Sequence, residues 1–240
     1  MTGSIDIVRD ADCWTFTLNR PDKMNALNPQ AVEALLAGVD EAHQSGARTL
    51  VFAGNGRNFS AGFDQGNLEQ ESDADLLLRL VRIETMLQRV ASSPCMTVAF
   101  AHGRNFGAGV DLFVACKKRF CTADATFRMP GLRFGLVLGT RRFGECVGLA
   151  NARDILEQTR TLDAHEAHEI GLVSRLVEAD GVCSVVDDLR QVAGQLDSQT
   201  QRHLYDVLAA GDASRDLADL VLSASRPGLK ARMLAFMRQR

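Results

Sequence analysis

The 240-residue sequence lacks several features that would identify whole classes of protein. Its net charge is only −3, from 27 basic and 30 acidic residues, and no basic stripe alternates with aromatic residues. We therefore expect no nucleic-acid partner, because such surfaces carry clustered lysine and arginine. No apolar run approaches the roughly 18 residues that a membrane span needs, so we expect no membrane partner either.

Cysteine is present, but the pattern of a metal or disulfide site is missing. The six cysteines form no CxxC pair and no zinc-ligand spacing with histidine. Cys95, Cys116 and Cys121 lie in apolar runs, where a free thiol packs as a small hydrophobic group. The N-terminus also lacks the pattern of a signal peptide. We therefore expect no metal and a reducing, cytoplasmic location.

Motifs for bound cofactors are also missing: there is no P-loop and no HExxH, and the glycines at 103, 107 and 109 are in the wrong order for GxGxxG. What the sequence has instead is two glycine-bearing segments, FSAGFD at 59–64 and GRNFGAGVD at 103–111. Each follows an apolar, strand-like run. Small residues there let a backbone approach a ligand closely and direct N–H groups at it. Asp111 ends the second segment, and two N–H donors beside one acid suit chemistry in which an oxygen gains charge while a proton moves.

The order of predicted elements indicates an α/β fold. Alternating apolar residues on both sides of 10–12 predict a β-hairpin, and Asn28-Pro29 predicts the start of a helix. From about residue 183 the pattern is helical only, with segments predicted at 183–196, 200–210, 213–224 and 227–239. We therefore predict a core at 1–182 that carries the site. The remaining region, 183–240, is predicted to be helical and to pack on the core and on neighbouring subunits.

These motifs together resemble the crotonase superfamily, also called the enoyl-CoA hydratase/isomerase superfamily, along nearly the whole chain. The resemblance rests on the two glycine-bearing segments and on LNRP at 18–21, NAL at 25–27, ADATF at 123–127, and 162–167 leading into GLV at 171–173. It implies a crotonase-like spiral of ββα units with a C-terminal helical trimerisation region. It also implies a homotrimer or a dimer of trimers, and an acyl-CoA substrate of which coenzyme A is a part, with no separate cofactor.

The resemblance further implies roles for particular residues. The backbone N–H groups of Phe63 and Ala108 would form an oxyanion hole for the thioester oxygen, and Asp111 would move the proton. The remaining residues expected to contact substrate or coenzyme A are Lys23, Asn25, Ala26, Leu27, Ala61, Gly62, Asp64, Gly107 and Gly131. Three alternatives stay open: Asn25 and Ala26 only shape a loop, Asp64 only braces one, and Asp111 only bonds to its own helix.

The chain departs from the hydratase pattern at one position. Hydration in this family is described with two glutamates that hold one water; Asp111 aligns with the first, and Gly131 stands in place of the second. We expect an enoyl-CoA hydratase/isomerase-like enzyme that forms an enolate, since one acid suits proton transfer better than water addition. The alternatives are an isomerase, a decarboxylase, or a degraded acyl-CoA-binding protein.

The decarboxylase alternative depends on a group of arginines near Gly131. If one or two of them faced the acyl pocket, they could hold a substrate carboxylate; otherwise they form a solvated or subunit-contact surface. The group consists of Arg128, Arg133, Arg141 and Arg142.

Overall fold

The computed structural model describes residues 3–209 and 211–239; the predicted ranges also include 1, 2, 210 and 240, which lie outside these described residues. The strands are β1 Ile5–Asp10, β2 Cys13–Leu18, β3 Thr49–Gly54, β4 Met96–Ala101, β5 Arg104–Phe106, β6 Lys118–Cys121, β7 Thr126–Arg128, β8 Thr161–Asp163 and β9 Arg175–Leu176. The α-helices are α1 Pro29–Gln44, α2 Asp73–Ala91, α3 Ala108–Ala115, α4 Thr140–Val147, α5 Leu149–Gln158, α6 Ala164–Glu169, α7 Val182–Gly194, α8 Ser198–Leu208, α9 Ala213–Ala224 and α10 Leu229–Met237. No helix in these ranges is long and apolar enough to cross a membrane.

Six strands form the main sheet, in the order β1-β2-β3-β4-β6-β9. The predicted hairpin is present, because β1 and β2 pair antiparallel with Ile7 opposite Phe16. The remaining pairs are parallel. Parallel neighbours need long crossovers, which here contain helices, so strands such as β4 are buried along their whole length.

A second sheet has three short strands in the order β5-β7-β8. The sequence did not predict β5 or β8, because three residues are too few to show a period of two. The apolar residues of the run at 172–177 predict a strand, which is present only at Arg175–Leu176. The second sheet fixes the site, because β5 leads through Gly107 directly into α3.

Side-chain caps begin several of the helices. Asn28 accepts a hydrogen bond from the Ala31 amide and Pro29 occupies the first turn of α1, as predicted. The order Asp163-Ala164-His165-Glu166 predicts a capping box at the start of α6, but only half of it forms. Asp163 accepts from the Glu166 amide, whereas the Glu166 carboxylate pairs with Arg160, 2.8 Å away.

The helices after residue 181 cover two different surfaces. Val185 and Leu189 of α7 pack with Val98 of the main sheet. Leu220 of α9 and Met233 of α10 pack with Leu80 of α2 in a separate apolar cluster. The four helices predicted for this region are therefore present at Val182–Gly194, Ser198–Leu208, Ala213–Ala224 and Leu229–Met237, although their contacts with other subunits remain a prediction.

A buried ion-pair network joins α2, α4 and α9. Arg142 donates to both carboxylate oxygens of Glu84, at 2.9 and 2.6 Å, and to Asp216 at 3.0 Å. The Glu84 side chain is 1% exposed and that of Arg142 is 9% exposed. Such a pair stabilises the fold only while both partners remain, because either charge alone would be buried without compensation.

We predict that Glu84→Gln lowers the free energy of unfolding by about 3 kcal/mol, because it leaves the buried Arg142 charge with Asp216 as its single anionic partner. Urea denaturation measures this difference. The matched control is Glu33→Gln, which breaks the exposed Arg82–Glu33 pair and should cost less than about 1 kcal/mol. Equal effects of the two substitutions would show that the buried network does not stabilise the fold.

Candidate active site

A cavity of about 390 Å³ opens where the two glycine-bearing segments meet. This volume lies within the range of ordinary ligand pockets. Nine of the twelve predicted site residues line it: Lys23, Ala26, Ala61, Phe63, Asp64, Gly107, Ala108, Asp111 and Gly131. We call it the first cavity.

The two segments touch through their backbones at Gly62. A Cβ atom on Gly62 would lie 2.3 Å from the Phe106 carbonyl oxygen and 2.9 Å from the Ala108 nitrogen. The Gly62 φ angle of +78° also favours glycine. Only a residue without a side chain permits this approach, which holds the Phe63 and Ala108 backbones at the same cavity.

In the described part of the chain, the backbone amides of Phe63 and Ala108 have no protein acceptor. A β-bridge between Leu27 and Phe63 uses the flanking groups, with Leu27 donating to the Gly62 carbonyl and Asp64 donating to the Leu27 carbonyl. Ala108 is the first residue of α3, where a helix leaves its amides unpaired. Within the described ranges, neither the Phe63 nor the Ala108 amide donates to a protein oxygen. The α3 helix dipole favours negative charge near Ala108.

Asp111 lies in the first turn of α3 and is 3% exposed. The residue lines the first cavity, and in the described structure its Oδ1 has no hydrogen-bond partner. Burial raises the pKa of this carboxyl well above its usual value, against the opposing charge of Arg142 and with a further contribution from Glu84. The carboxyl is therefore held in a form suited to proton exchange.

Gly139 makes room for Asp111. A Cβ atom at this position would lie 1.9 Å from Asp111 Oδ1. Gly139 also caps α4 in the left-handed conformation, with φ 63° and ψ 0°. Gly139 is not among the predicted site residues, because its role appears only when α3 and α4 are packed together.

Asp64 lines the first cavity but is bound by its own loop. Its Oδ2 accepts from Arg20 at 2.6 Å and its Oδ1 accepts from the Gly66 amide at 2.8 Å. Burial alone would raise the pKa of Asp64, but these two donors bring it below the usual value. The loop-bracing alternative is therefore favoured over a reacting acid.

Three predicted contact residues have no surface on the first cavity: Asn25, Leu27 and Gly62. The Asn25 side chain donates to the carbonyls of Asn55 and Asn58 and accepts from the Arg20 amide, so it shapes the loop. Leu27 is in the core, and Gly62 is covered by the Phe106 and Ala108 backbones. These residues position the wall of the cavity from behind.

The arginines near Gly131 point elsewhere. Arg128 and Arg133 bond to Thr159, Arg141 pairs with Asp216 and Asp219, and Arg142 joins the buried network. None of the four lines the first cavity. The alternative in which one or two of them hold a substrate carboxylate in this cavity therefore loses its support, and the decarboxylase alternative loses it too.

The remaining lining is largely apolar, and its members are not among the twelve predicted site residues. The hydrophobic members are Met24, Leu80, Phe106, Met129, Leu132, Phe134, Leu136, Leu138, Leu156, Met233 and Phe236. In a sequence, apolar residues that line a ligand pocket look the same as apolar residues that fill the hydrophobic core. Gly131, which stands where a second acid was predicted to be missing, also lines the cavity. Among the described lining residues, the carboxyl groups are those of Asp64 and Asp111.

The parallel sheet, the paired glycine segments and the α3 carboxylate define a crotonase-fold protein. A family model of enoyl-CoA hydratase/isomerase matches residues 10–222. The chain belongs to the enoyl-CoA hydratase/isomerase family.

Known members show how far the likeness extends. A crystal structure from Bordetella parapertussis that carries the name of this family superposes with a TM-score of 0.98, at 52% identity over 100% of both chains. A Bacillus subtilis protein named probable enoyl-CoA hydratase is 28% identical over 94% of this chain and 89% of its own length. A Mycobacterium tuberculosis protein, probable enoyl-CoA hydratase echA6, is 33% identical over 72% of this chain and 70% of its own.

We predict that Gly139→Ala displaces the Asp111 carboxyl and destabilises the protein beyond the left-handed backbone strain of about 1–2 kcal/mol. The control is Gly228→Ala, which also replaces a left-handed glycine at a helix start, but whose Cβ would meet nothing closer than the Ala231 Cβ at 3.8 Å. Urea denaturation compares the two variants. A loss at Gly139 no larger than at Gly228 would contradict the close contact with Asp111.

We predict that Asp111→Asn stabilises the protein increasingly as pH rises. Because the pKa of Asp111 is raised in the folded state, the folded protein binds more protons than the unfolded chain between the ordinary and the raised pKa. The wild type therefore loses up to about 1.4 kcal/mol of stability per pH unit across that window, and the variant does not.

Urea denaturation at several pH values measures this trend. Asp64→Asn is a control in which stability should depend on pH in the opposite direction, because the pKa of Asp64 is lowered. The stability contributed by the Asp64 carboxylate is present above its unfolded pKa and is lost only at more acidic pH. A stability difference between wild type and Asp111→Asn that stays constant with pH would show that Asp111 titrates normally.

Proposed function

We propose that the protein transfers a proton within an acyl-CoA thioester, through an enolate held in the first cavity. The thioester oxygen lies between the amides of Phe63 and Ala108, which line the cavity and have no protein acceptor in the described structure. Preorganised donors of this kind stabilise a developing oxyanion by several kcal/mol. Coenzyme A enters as part of the substrate, with its nucleotide end towards the exposed Lys23 at the cavity mouth.

A single observation favours isomerisation within this class: Asp111 is the one described carboxyl on the cavity that is not held by a loop donor. A 3-enoyl thioester loses a proton from C2 to the Asp111 carboxylate, and the electrons spread over the thioester oxygen and C4. The same carboxyl then returns the proton to C4, which gives the 2-enoyl thioester. Atoms and charge balance with one acid–base group.

Hydration is the second candidate, because relatives carry that name, but it needs a group that holds and deprotonates water. Gly131 supplies no such group. A protein that binds acyl-CoA without turnover is the third candidate. The raised pKa and the buried position of Asp111 favour an active site over simple binding, since a carboxyl buried in an apolar wall is costly to keep without a role.

Assembly and location form part of the same proposal. We place the enzyme in the cytoplasm as a homotrimer or a dimer of trimers, acting in fatty acid metabolism. Exposed apolar residues on the C-terminal helices support assembly, notably Val207 and Leu208 on α8 and Leu222 on α9. The six free cysteines suit a reducing compartment.

We predict that Asp111→Asn lowers the turnover of a 3-enoyl-CoA by about 10²–10⁴-fold, because the amide cannot accept and return the proton. The wild type and variant are compared by following formation of the conjugated 2-enoyl product. Dissociation constants for saturated butanoyl-CoA, measured by calorimetry, should stay within a few-fold, since the Phe63 and Ala108 amides remain.

Three other results would each contradict one part of the proposal. Unchanged turnover in Asp111→Asn would remove Asp111 from the chemistry. A wild type that adds water to 2-enoyl-CoA but does not move the double bond would favour hydration. Binding of butanoyl-CoA without turnover of any enoyl, 3-hydroxyacyl or malonyl thioester would favour the binding protein.

A further inference from the structure

A second cavity, of about 590 Å³, adjoins the first between α4, α5 and the beginning of α9. Leu132, Thr140 and Leu156 line both cavities, so the two cavities share these three residues as a common boundary. The mechanism described above does not use this second cavity.

The second cavity begins beside the reacting group. Gly139 lines it, and Gly139 is also the residue whose missing side chain leaves room for Asp111 Oδ1. Thr140, the next residue, lines both cavities. A chain whose first carbons lie at Asp111 therefore has the shared side chains directly ahead of it.

The lining of the second cavity is part apolar and part charged. Its apolar members include the buried Ala152 and Leu156. Seven of its described members are charged: Glu145, Arg153, Glu157 and Arg215 are exposed, and the partly buried Arg141 pairs with Asp216 and Asp219. Leu149 also lines it and is 67% exposed. An apolar ligand there would remove hydrocarbon surface from water, which favours binding by about 25 cal/mol per Å².

We propose that the second cavity receives the distal part of the acyl chain, which passes between Leu132, Thr140 and Leu156, so that the substrate is a long-chain, apolar acyl-CoA. The inference rests on the proposed function, because the first cavity must hold the thioester for the chain to extend beyond it. A short acyl group stays in the first cavity.

Gly144 offers a test that leaves the first cavity untouched. It lines the second cavity alone, and a Cβ there would make ordinary contacts, 3.6 Å from Leu149 Cδ2 and 3.8 Å from Ala152 Cβ. Gly144→Phe should fill the second cavity. The matched control is Gly194→Phe, at a helical glycine whose Cβ would have nothing within 4 Å.

The probes are saturated butanoyl-CoA and dodecanoyl-CoA, whose dissociation constants are measured by calorimetry without any knowledge of the reaction. Gly144→Phe should weaken dodecanoyl-CoA at least about tenfold, the equivalent of roughly two methylene groups kept in water. Butanoyl-CoA should bind as to the wild type, and Gly194→Phe should change neither constant.

A second variant covers the case in which Gly144→Phe does not fold. Leu149→Glu alters an exposed residue, so it should fold, and it places a charge on the apolar wall of the second cavity. It should weaken dodecanoyl-CoA selectively as well.

Failure of the inference about the second cavity and failure of the proposed function would give different binding results. Dodecanoyl-CoA binding unchanged in both variants would overturn the inference and would place the chain in the apolar part of the first cavity, towards Leu80 and Met233. Equal weakening of both probes would also overturn it. If the wild type bound neither probe, the proposed function itself would fail.

Discussion

The structure depends on one close backbone contact, between Gly62 and the turn that begins α3. The Phe106 carbonyl and the Ala108 amide occupy the space that any side chain at position 62 would need. The contact joins two crossovers of the parallel sheet that are more than 40 residues apart in sequence, and it directs their free amides to one cavity. Glycine is required here for space as well as for its positive φ angle.

The position of the Asp111 carboxyl also depends on a glycine that has no side chain. Gly139 leaves the space that its carboxyl occupies, and α2, α3 and α4 bury it beside the Glu84–Arg142 pair. That pair holds opposite charges near Asp111, so burial remains the main cause of its raised pKa. The network that stabilises the packing of α4 thus surrounds the acid without neutralising it.

The sequence predicted the hairpin, the strands before the two glycine-bearing segments, the four C-terminal helices, and the cavity-lining residues that carry backbone donors or the acid. It could not separate contact from support within the segment at residues 23–27, where Lys23 and Ala26 line the cavity but Asn25 braces the loop from behind. An asparagine can either contact a ligand or brace a loop, and only its hydrogen-bond partners in the structure show which of the two it does. The direction of the arginines around Gly131 stayed open for the same reason, since closeness in sequence does not fix where a side chain points.

The sequence by itself determined the α/β class and the two glycine-bearing segments, because these follow from residue type and order. That Gly131 stands in place of a second acid is what the resemblance to the family implies. Tertiary structure alone decided which carboxyl remains free, which arginines are bound to acids or to Thr159, and where the second cavity lies. Those outcomes depend on atoms from helices far apart in the chain coming within a few ångströms, and no local pattern encodes such distances.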